Sequence, residues 1–361
     1  MLNYWWVTRP KRKLTSIPDV LATFAEISLD QEWAGVRPTH LTVEKALEES
    51  GLKRVGDRRD QTGGGGRTYK AWLISLGLIF VQSATKKLKL TLAGEAIMRG
   101  EPPVPILTNQ ILKYQFPSSF SLSHGVAVSP RFKIRPFRFL LKLLSDRRIG
   151  YLTQEEIAKI VITEAEDEAP VCYEYIVARI CEFRALGGVD GRGDECLSED
   201  FAERYKSSKG PANVEHPFDA LKDIANTMIN WLEYTQLIFR DGATISILDE
   251  KAEEVANILA TDIPFIDRPE EHEFFQRKYG LDPSHRKDTR NLNRTITITS
   301  RIIAESRIRK VYIGESLKRP ITRIDSELIG KIVVQTGFDY ALVEDVLKES
   351  YPNGSVGAFM T

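Results

Sequence analysis

The run from Arg67 to Gly100 leaves this chain few ways to fold. Arg67, Thr68, Tyr69 and Lys70 open an apolar segment, Ala71 to Leu76, that Gly77 stops, since a glycine just past the last apolar position is a common helix exit. Leu78, Ile79, Phe80 and Val81 then read as a strand, 83–86 as a turn, and Leu88, Leu90 and Leu92 as the alternating face of a return strand. Thr91 to Gly94 caps a short helix that ends by Arg99 and Gly100. A helix with a basic start, a tight exit, a basic hairpin and a closing helix is the pattern of a winged helix, a DNA-docking variant of helix-turn-helix. Two helices are needed ahead of it. Val20, Leu21, Phe24 and Ile27 supply one at helical spacing, and Val43, Ala46, Leu47 and Leu52 the other. The stretch between, 53–66, mixes Lys53, Arg54, Arg58 and Arg59 with the four consecutive glycines Gly63 to Gly66, and is expected to be a mobile basic loop.

Charge is informative only when counted by segment. The chain holds 50 basic and 50 acidic residues, but residues 1–150 carry 24 basic against 12 acidic, and within them 51–150 carry 18 against 5. The remaining 211 residues carry the compensating acidic excess. A basic part joined to an acidic part points to a polyanion-binding module beside something else. No apolar run is long enough for a membrane span. Trp5 and Trp6 followed by Arg9, Lys11, Arg12 and Lys13 lack the apolar core of a signal peptide. Cys172, Cys181 and Cys196 form neither a disulfide framework nor a zinc spacing, so a cytoplasmic protein is expected.

The winged-helix pattern recurs with decreasing clarity. A second unit is expected from the helices Phe137 to Leu144, Leu152 to Ile162 and Tyr173 to Leu186, with Thr153 and Glu156 spaced as a capping box and Gly187 to Gly193 as a degenerate wing. Its surface is acidic, which fits scaffolding better than DNA reading. A third is expected from the helix Ala220 to Leu232 and the hairpin Leu237 to Leu248, turned at Asp241 and Gly242, with Glu250 to Leu259 closing it. Beyond Pro264 follow a charged connector and two helices, Ser326 to Thr336 and Tyr340 to Ser350, and the Gly-rich end reads as unfinished. The fold class expected is mainly α, tandem winged-helix subdomains with short hairpin wings and a helical C-terminal linker. The subdomains are placed at 1–120, 121–212 and 213–263, and the connector and linker at 264–361.

Several short pieces occur in an order that resembles the AlwI family of type IIS restriction and nicking endonucleases. They are Trp6, Thr8, Arg9, Pro10 and Lys13; Leu21, Phe24 and Trp33 to Gly35; Arg67, Leu76 to Leu78 and Leu90 to Gly94; Leu112, Tyr114, Gln115, Pro117 and Ser118; Pro136 and Leu140 to Leu144; and Trp231, Tyr234 and Thr235. The resemblance spans roughly residues 5–280 and matches that family's N-terminal part. It implies a DNA-recognition region of winged-helix subdomains joined by a helical linker to a metal-dependent nuclease domain that cuts or nicks beside a short asymmetric site.

The nuclease motif is missing. Such a site needs an Asp and an acidic-x-Lys unit converging on Mg²⁺, and the one tempting match, Asp241 with Asp249 and Lys251, falls on the third wing and its following helix. His40, His124, His216, His272 and His285 are isolated from one another and read as surface or satisfied polar residues. Gly63 to Gly66 lack the Lys-Ser or Lys-Thr of a phosphate-binding loop.

Sequence-specific binding of double-stranded DNA by a monomer is therefore expected, with no cofactor in this chain. Mg²⁺ and cleavage would belong to a nuclease domain or subunit outside it. Arg67, Thr68 and Lys70 are the candidates for reading bases; Lys86, Lys87 and Lys89 on the wing and Arg9, Lys11, Arg12 and Lys13 on the N-terminal arm fit phosphate or minor-groove contact, and Arg58 and Arg59 fit either. Trp72, Leu73 and Leu76 are expected in the core, with Trp5, Trp6 and Trp33 packing the arm. The alternative is a winged-helix transcription or defence-associated regulator whose acidic half binds a protein. A purely protein-binding scaffold is the third reading.

Overall fold

The computed structural model describes residues 1–55, 61–123, 125–205, 219–263, 265–278, 300–316 and 321–351. The chain is mainly helical and divides into two compact units, each built from three stretches of chain. One gathers Ser16–Arg67, Leu78–Pro103 and Asn293–Thr361; the other gathers Met1–Thr15, Thr68–Gly77 and Val104–Leu292.

The first of these units begins with helices Ile17–Ser28 and Arg37–Glu49, each with a proline in its first turn, where no amide donor is needed. They pack through Val20, Leu21 and Phe24 on one side and Val43 and Leu47 on the other, all buried. The strands Ile79–Val81 and Leu88–Leu90 pair antiparallel, Ile79 opposite Leu90. A third strip, 29–32, lies along the second strand: Asp30 N donates to Leu88 O and Leu88 N to Gln31 O, each at 3.0 Å. Thr91 caps Leu92–Met98 by accepting from Gly94 N at 3.0 Å. Residue 94 is glycine because a Cβ there would lie 2.1 Å from Leu78 O.

The same unit contains Ser300–Ser316, Ser326–Thr336 and Tyr340–Ser350, which close around Ile308, Tyr312, Leu328, Ile332, Val343 and Val346. The two later helices have the bounds their sequence period predicts. Asp325 and Asp339 cap them, and Gly337 leaves the earlier one in the left-handed region. Arg307 pairs with Glu26 at 2.5 Å and Lys310 with Asp19 at 3.0 Å, so this segment is tied to the helix Ile17–Ser28.

In the other unit, helix Pro136–Ser145 leads to strand Tyr151–Thr153, a helical stretch over 154–164, helix Pro170–Ala185, helix Asp219–Tyr234, a hairpin of Ile238–Asp241 and Thr244–Ile247, and helix Ala252–Ala260. Two sequence expectations are corrected here. Tyr151–Thr153 is a strand, not the start of a helix, and it pairs with Thr244–Ile247, giving the sheet order first, third, second. The expected second and third subdomains therefore share one sheet. The Gly-rich stretch after Leu186 forms two 3₁₀ turns, Gly188–Asp190 and Gly193–Cys196, instead of a wing. Both Gly187 and Gly188 have positive φ, which turns the chain too sharply for paired strands. The capping box at Thr153 and Glu156 is formed. Trp5 is fully buried, donates to Ala165 O at 2.7 Å and meets Phe139 edge to face. No helix of the described residues is long and apolar enough to cross a membrane.

Candidate nucleic-acid interface

The helix that carries the first candidates runs over Gly64–Ser75, so three of the four glycines of the expected mobile loop, Gly64 to Gly66, form its first turn. They are there for close packing. A Cβ on Gly63 would come within 2.5 Å of His40 Cβ, on Gly65 within 2.5 Å of Glu44 Oε1, and on Gly66 within 2.4 Å of His40 O. The start of the helix, 63–66, thus lies against Arg37–Glu49 at a separation no side chain permits. Glu44 accepts from Gly65 N at 3.2 Å and from the ammonium of Lys53 at 3.0 Å, which also reaches Glu48 at 2.6 Å. An acidic group at a helix start is favourable for its dipole. Lys53 is consequently committed to holding this turn.

Arg67 is half-buried and donates to Thr62 O at 2.8 Å and Thr62 Oγ1 at 3.1 Å, which fixes the guanidinium at the helix start. Thr68 is exposed. Lys70 is half-buried; burial lowers its ammonium pKa, and the carboxylate of Glu273 acts against that. Trp72, Leu73 and Leu76 are fully buried, the core expected of them, and burial pushes the Tyr69 hydroxyl up to about 12. Arg58 and Arg59 lie outside the described residues.

On the hairpin, Lys86 is exposed at the turn with φ +57° and Lys87 is half-exposed. Lys89 differs from its two neighbours. It is only 5% exposed and its ammonium is paired with Asp30, so it braces the 29–32 strip instead of facing outward. The partner sits 59 residues away in sequence.

The arm belongs to the other unit. Arg12 pairs with Asp223 at 2.7 Å, in the first turns of helix Asp219–Tyr234, with both side chains about half exposed. Arg9 is half-buried, and burial lowers its guanidinium pKa while Asp223 opposes the shift. Lys11 is half-buried and Lys13 exposed. Trp6 is half-buried and its carbonyl accepts from the Tyr114 hydroxyl at 3.1 Å. Trp33 packs with Phe24 and His40, with ring centroids 5.1 and 4.3 Å away.

The polar face of helix Asp219–Tyr234 is already occupied. Arg240, on the hairpin, donates to Asn230 at 2.6 Å, Asn226 at 3.1 Å and Gly242 O at 2.9 Å, and lies 3.4 Å from Glu233. Four of the five N–H groups of this arginine are directed to its own unit. Lys222 pairs with Glu155. This surface is a brace with acidic surroundings.

Asp241 and Asp249 occupy opposite ends of that hairpin. Asp241 pairs with Thr244 at the turn, while Leu248 N bonds Leu237 O at the far end, so about 13 Å of strand separates the two carboxylates. One metal ion cannot bridge that span. Lys251 is paired with Glu254 at 2.7 Å. Among the described residues, no group of three or more His, Cys, Asp or Glu side chains is placed to hold a metal. His40 bonds Trp33 O at 2.7 Å. His272 is 1% exposed, and neither ring nitrogen is hydrogen-bonded to a described group, so it is not the surface or satisfied residue expected. Burial, with help from the ammonium of Lys113, pulls its pKa down to about 3. His124, His216 and His285 lie outside the described residues.

Compared with known proteins, the chain matches no protein-family model and no curated protein. Among solved structures it is similar to a chain described as the BpuJ1 endonuclease binding domain in complex with pyrene- and phenanthrene-modified DNA. Identity is 15% and the TM-score 0.45, over 81% of this chain and 92% of that one.

Proposed function

We propose that this chain recognises double-stranded DNA sequence-specifically, as the recognition part of a type IIS-like restriction endonuclease that binds a short asymmetric site. The observation that carries the reading is the helix Gly64–Ser75. Trp72 and Leu73 on it and Leu76 just past its end are buried, Arg67, Thr68 and Lys70 are on the same helix, and 51–150 holds 18 basic residues against 5 acidic. Arginine can pair bidentately with guanine O6 and N7, worth about 1–3 kcal/mol of discrimination. We assign that role to Arg67 first, with Thr68 and Lys70 beside it on the helix, and give Lys86, Lys87, Lys11 and Lys13 to phosphates.

The order of elements supports a winged-helix reading twice over. Ile17–Ser28, the strip 29–32, Arg37–Glu49, Gly64–Ser75, the first hairpin and Leu92–Met98 follow the succession helix, strand, helix, helix, hairpin, helix. Pro136–Ser145, Tyr151–Thr153, the stretch 154–164, Asp219–Tyr234, the second hairpin and Ala252–Ala260 repeat it, with Pro170–Ala185 inserted. The first copy is the basic reader and the second, with Arg240 held by its own helix, is the scaffold. Cleavage and its Mg²⁺ belong to a nuclease domain or subunit outside this chain.

Selection of bound duplexes from a randomised library at near-physiological salt tests this. A short asymmetric consensus is expected, with no cleavage of it on adding Mg²⁺. A palindromic consensus would support the regulator instead, because a dimer reads two half-sites. Absence of enrichment would sink sequence-specific recognition and favour the protein-binding scaffold.

A further inference from the structure

The last turn of helix Gly64–Ser75 ends in a buried polar cluster that none of the candidate DNA contacts uses. Carbonyls of a final helical turn have no partner inside the helix, and here side chains from far along the chain meet them. Gln276 Nε2 donates to Ser75 O across 201 positions of sequence. Gln110 Nε2 lies 2.9 Å from Leu76 O, 3.3 Å from Gly77 O and 2.7 Å from Gln276 O. Gln110 and Gln276 are 1% and 3% exposed. Gly77, at φ +66°, is packed so closely that a Cβ would fall 2.3 Å from Gln276 O.

The segment that brings Gln276 is itself held in place. The ammonium of Lys113, fully buried, donates to Lys278 O and lies 5.3 Å from the Phe275 ring centroid. Helix Pro269–Arg277 also carries Glu273, whose charge acts on Lys70. All these groups belong to the unit that contains Thr68–Gly77. Apolar packing alone lets a helix shift along its axis by fractions of an ångström, whereas buried N–H to carbonyl bonds fix it, and a binding constellation needs its geometry held to about 0.5 Å.

Resting on the DNA-recognition reading, we propose that Gln276, with Gln110, is a positioning residue for base discrimination: it fixes the Thr68–Gly77 stretch of the reading helix, and with it Thr68 and Lys70, without touching DNA. Discrimination therefore depends on a segment about two hundred residues downstream of the residues that read. Non-specific binding, which comes from lysines and arginines at phosphates, does not depend on it.

The test compares Gln276→Met, which keeps the bulk and loses the donor, with Gln276→Asn, which keeps the amide one methylene short. Kd is measured by fluorescence anisotropy for the library-selected duplex and for a scrambled duplex of equal length and composition, over a salt series, alongside thermal melting. The ratio of the two affinities is expected to fall at least tenfold in Gln276→Met, with the scrambled-duplex Kd within twofold of wild type and its salt slope unchanged. Gln276→Asn should recover part of the ratio, and carries the test if the Met variant does not fold. A folded variant that discriminates as well as wild type overturns the inference and leaves DNA recognition standing. Equal affinity of wild type for both duplexes overturns sequence-specific recognition and the inference with it.

Discussion

Single residues decide more here through what they exclude than through what they add. Gly66 has no room for a methyl group beside His40 O, so Gly66→Ala should destabilise the chain by about 1–3 kcal/mol in urea titration. A change below about 0.5 kcal/mol would mean that the two helices can move apart freely. His272 gives the opposite kind of test, because among the described residues neither of its ring nitrogens has a hydrogen-bond partner. Its pKa in the folded chain is about 3, below the ordinary 6.5, so the folded state holds it neutral. The stability this represents is complete above pH 6.5 and is lost as pH falls from there toward 3, because only the unfolded chain takes up the proton. Between pH 7 and pH 5 the wild type should lose about 2 kcal/mol that His272→Gln retains. Parallel pH profiles for the two proteins would remove the effect. Neither residue declares itself in sequence. Four consecutive glycines read as flexibility, and a lone histidine reads as surface, because the neighbour that changes the meaning is not local.

At the level of elements, what the chain announces is whatever has a period or a cap. The exit at Gly77, the hairpin after it, the Thr91 cap, the capping box at Thr153 and the two helices from Ser326 and Tyr340 all rest on spacings of two to four residues. All of them form. The strip 29–32 and the strand Tyr151–Thr153 escape such reading, since three-residue strands have no period to show and are defined by partners about 60 and 90 residues away. The wing illustrates the difference within four residues. Lys86, Lys87 and Lys89 look equivalent in sequence, yet Lys89 is committed to Asp30. Replacing Lys86 and Lys87 together by Ala should reduce the salt slope of DNA binding by about two. Lys89→Ala should leave that slope unchanged and cost about 2 kcal/mol of stability, read by denaturant midpoint, through the lost charge-assisted bond. An equal slope change at all three positions would place Lys89 on the DNA side after all.

For the molecule as a whole, the two units are not consecutive segments. Residues 1–15 and 68–77 belong with 104–292, and 16–67 belong with residues near the end. A fragment covering 104–278 would lack Trp5, which fills the space between Phe139 and Ala165, and would lack the carbonyls that Gln110 and Gln276 satisfy. Supplying 1–103 in trans should restore cooperative melting to that fragment; a fragment that melts cooperatively by itself at the wild-type temperature would show those contacts to be dispensable. Segmental charge and local pattern could point to a basic reader and an acidic companion. They could not show the chain passing back and forth, because that is written in contacts separated by 160 residues or more.

The donor for Ser75 O is residue 276. On a ribosome adding roughly 5–20 residues per second, that donor is made on the order of 10–40 s after its acceptor. The helix that we assign to base reading is therefore synthesised well before it is finished, and a nascent chain that has not reached residue 276 carries the cations of the proposed DNA reader without its fixed geometry.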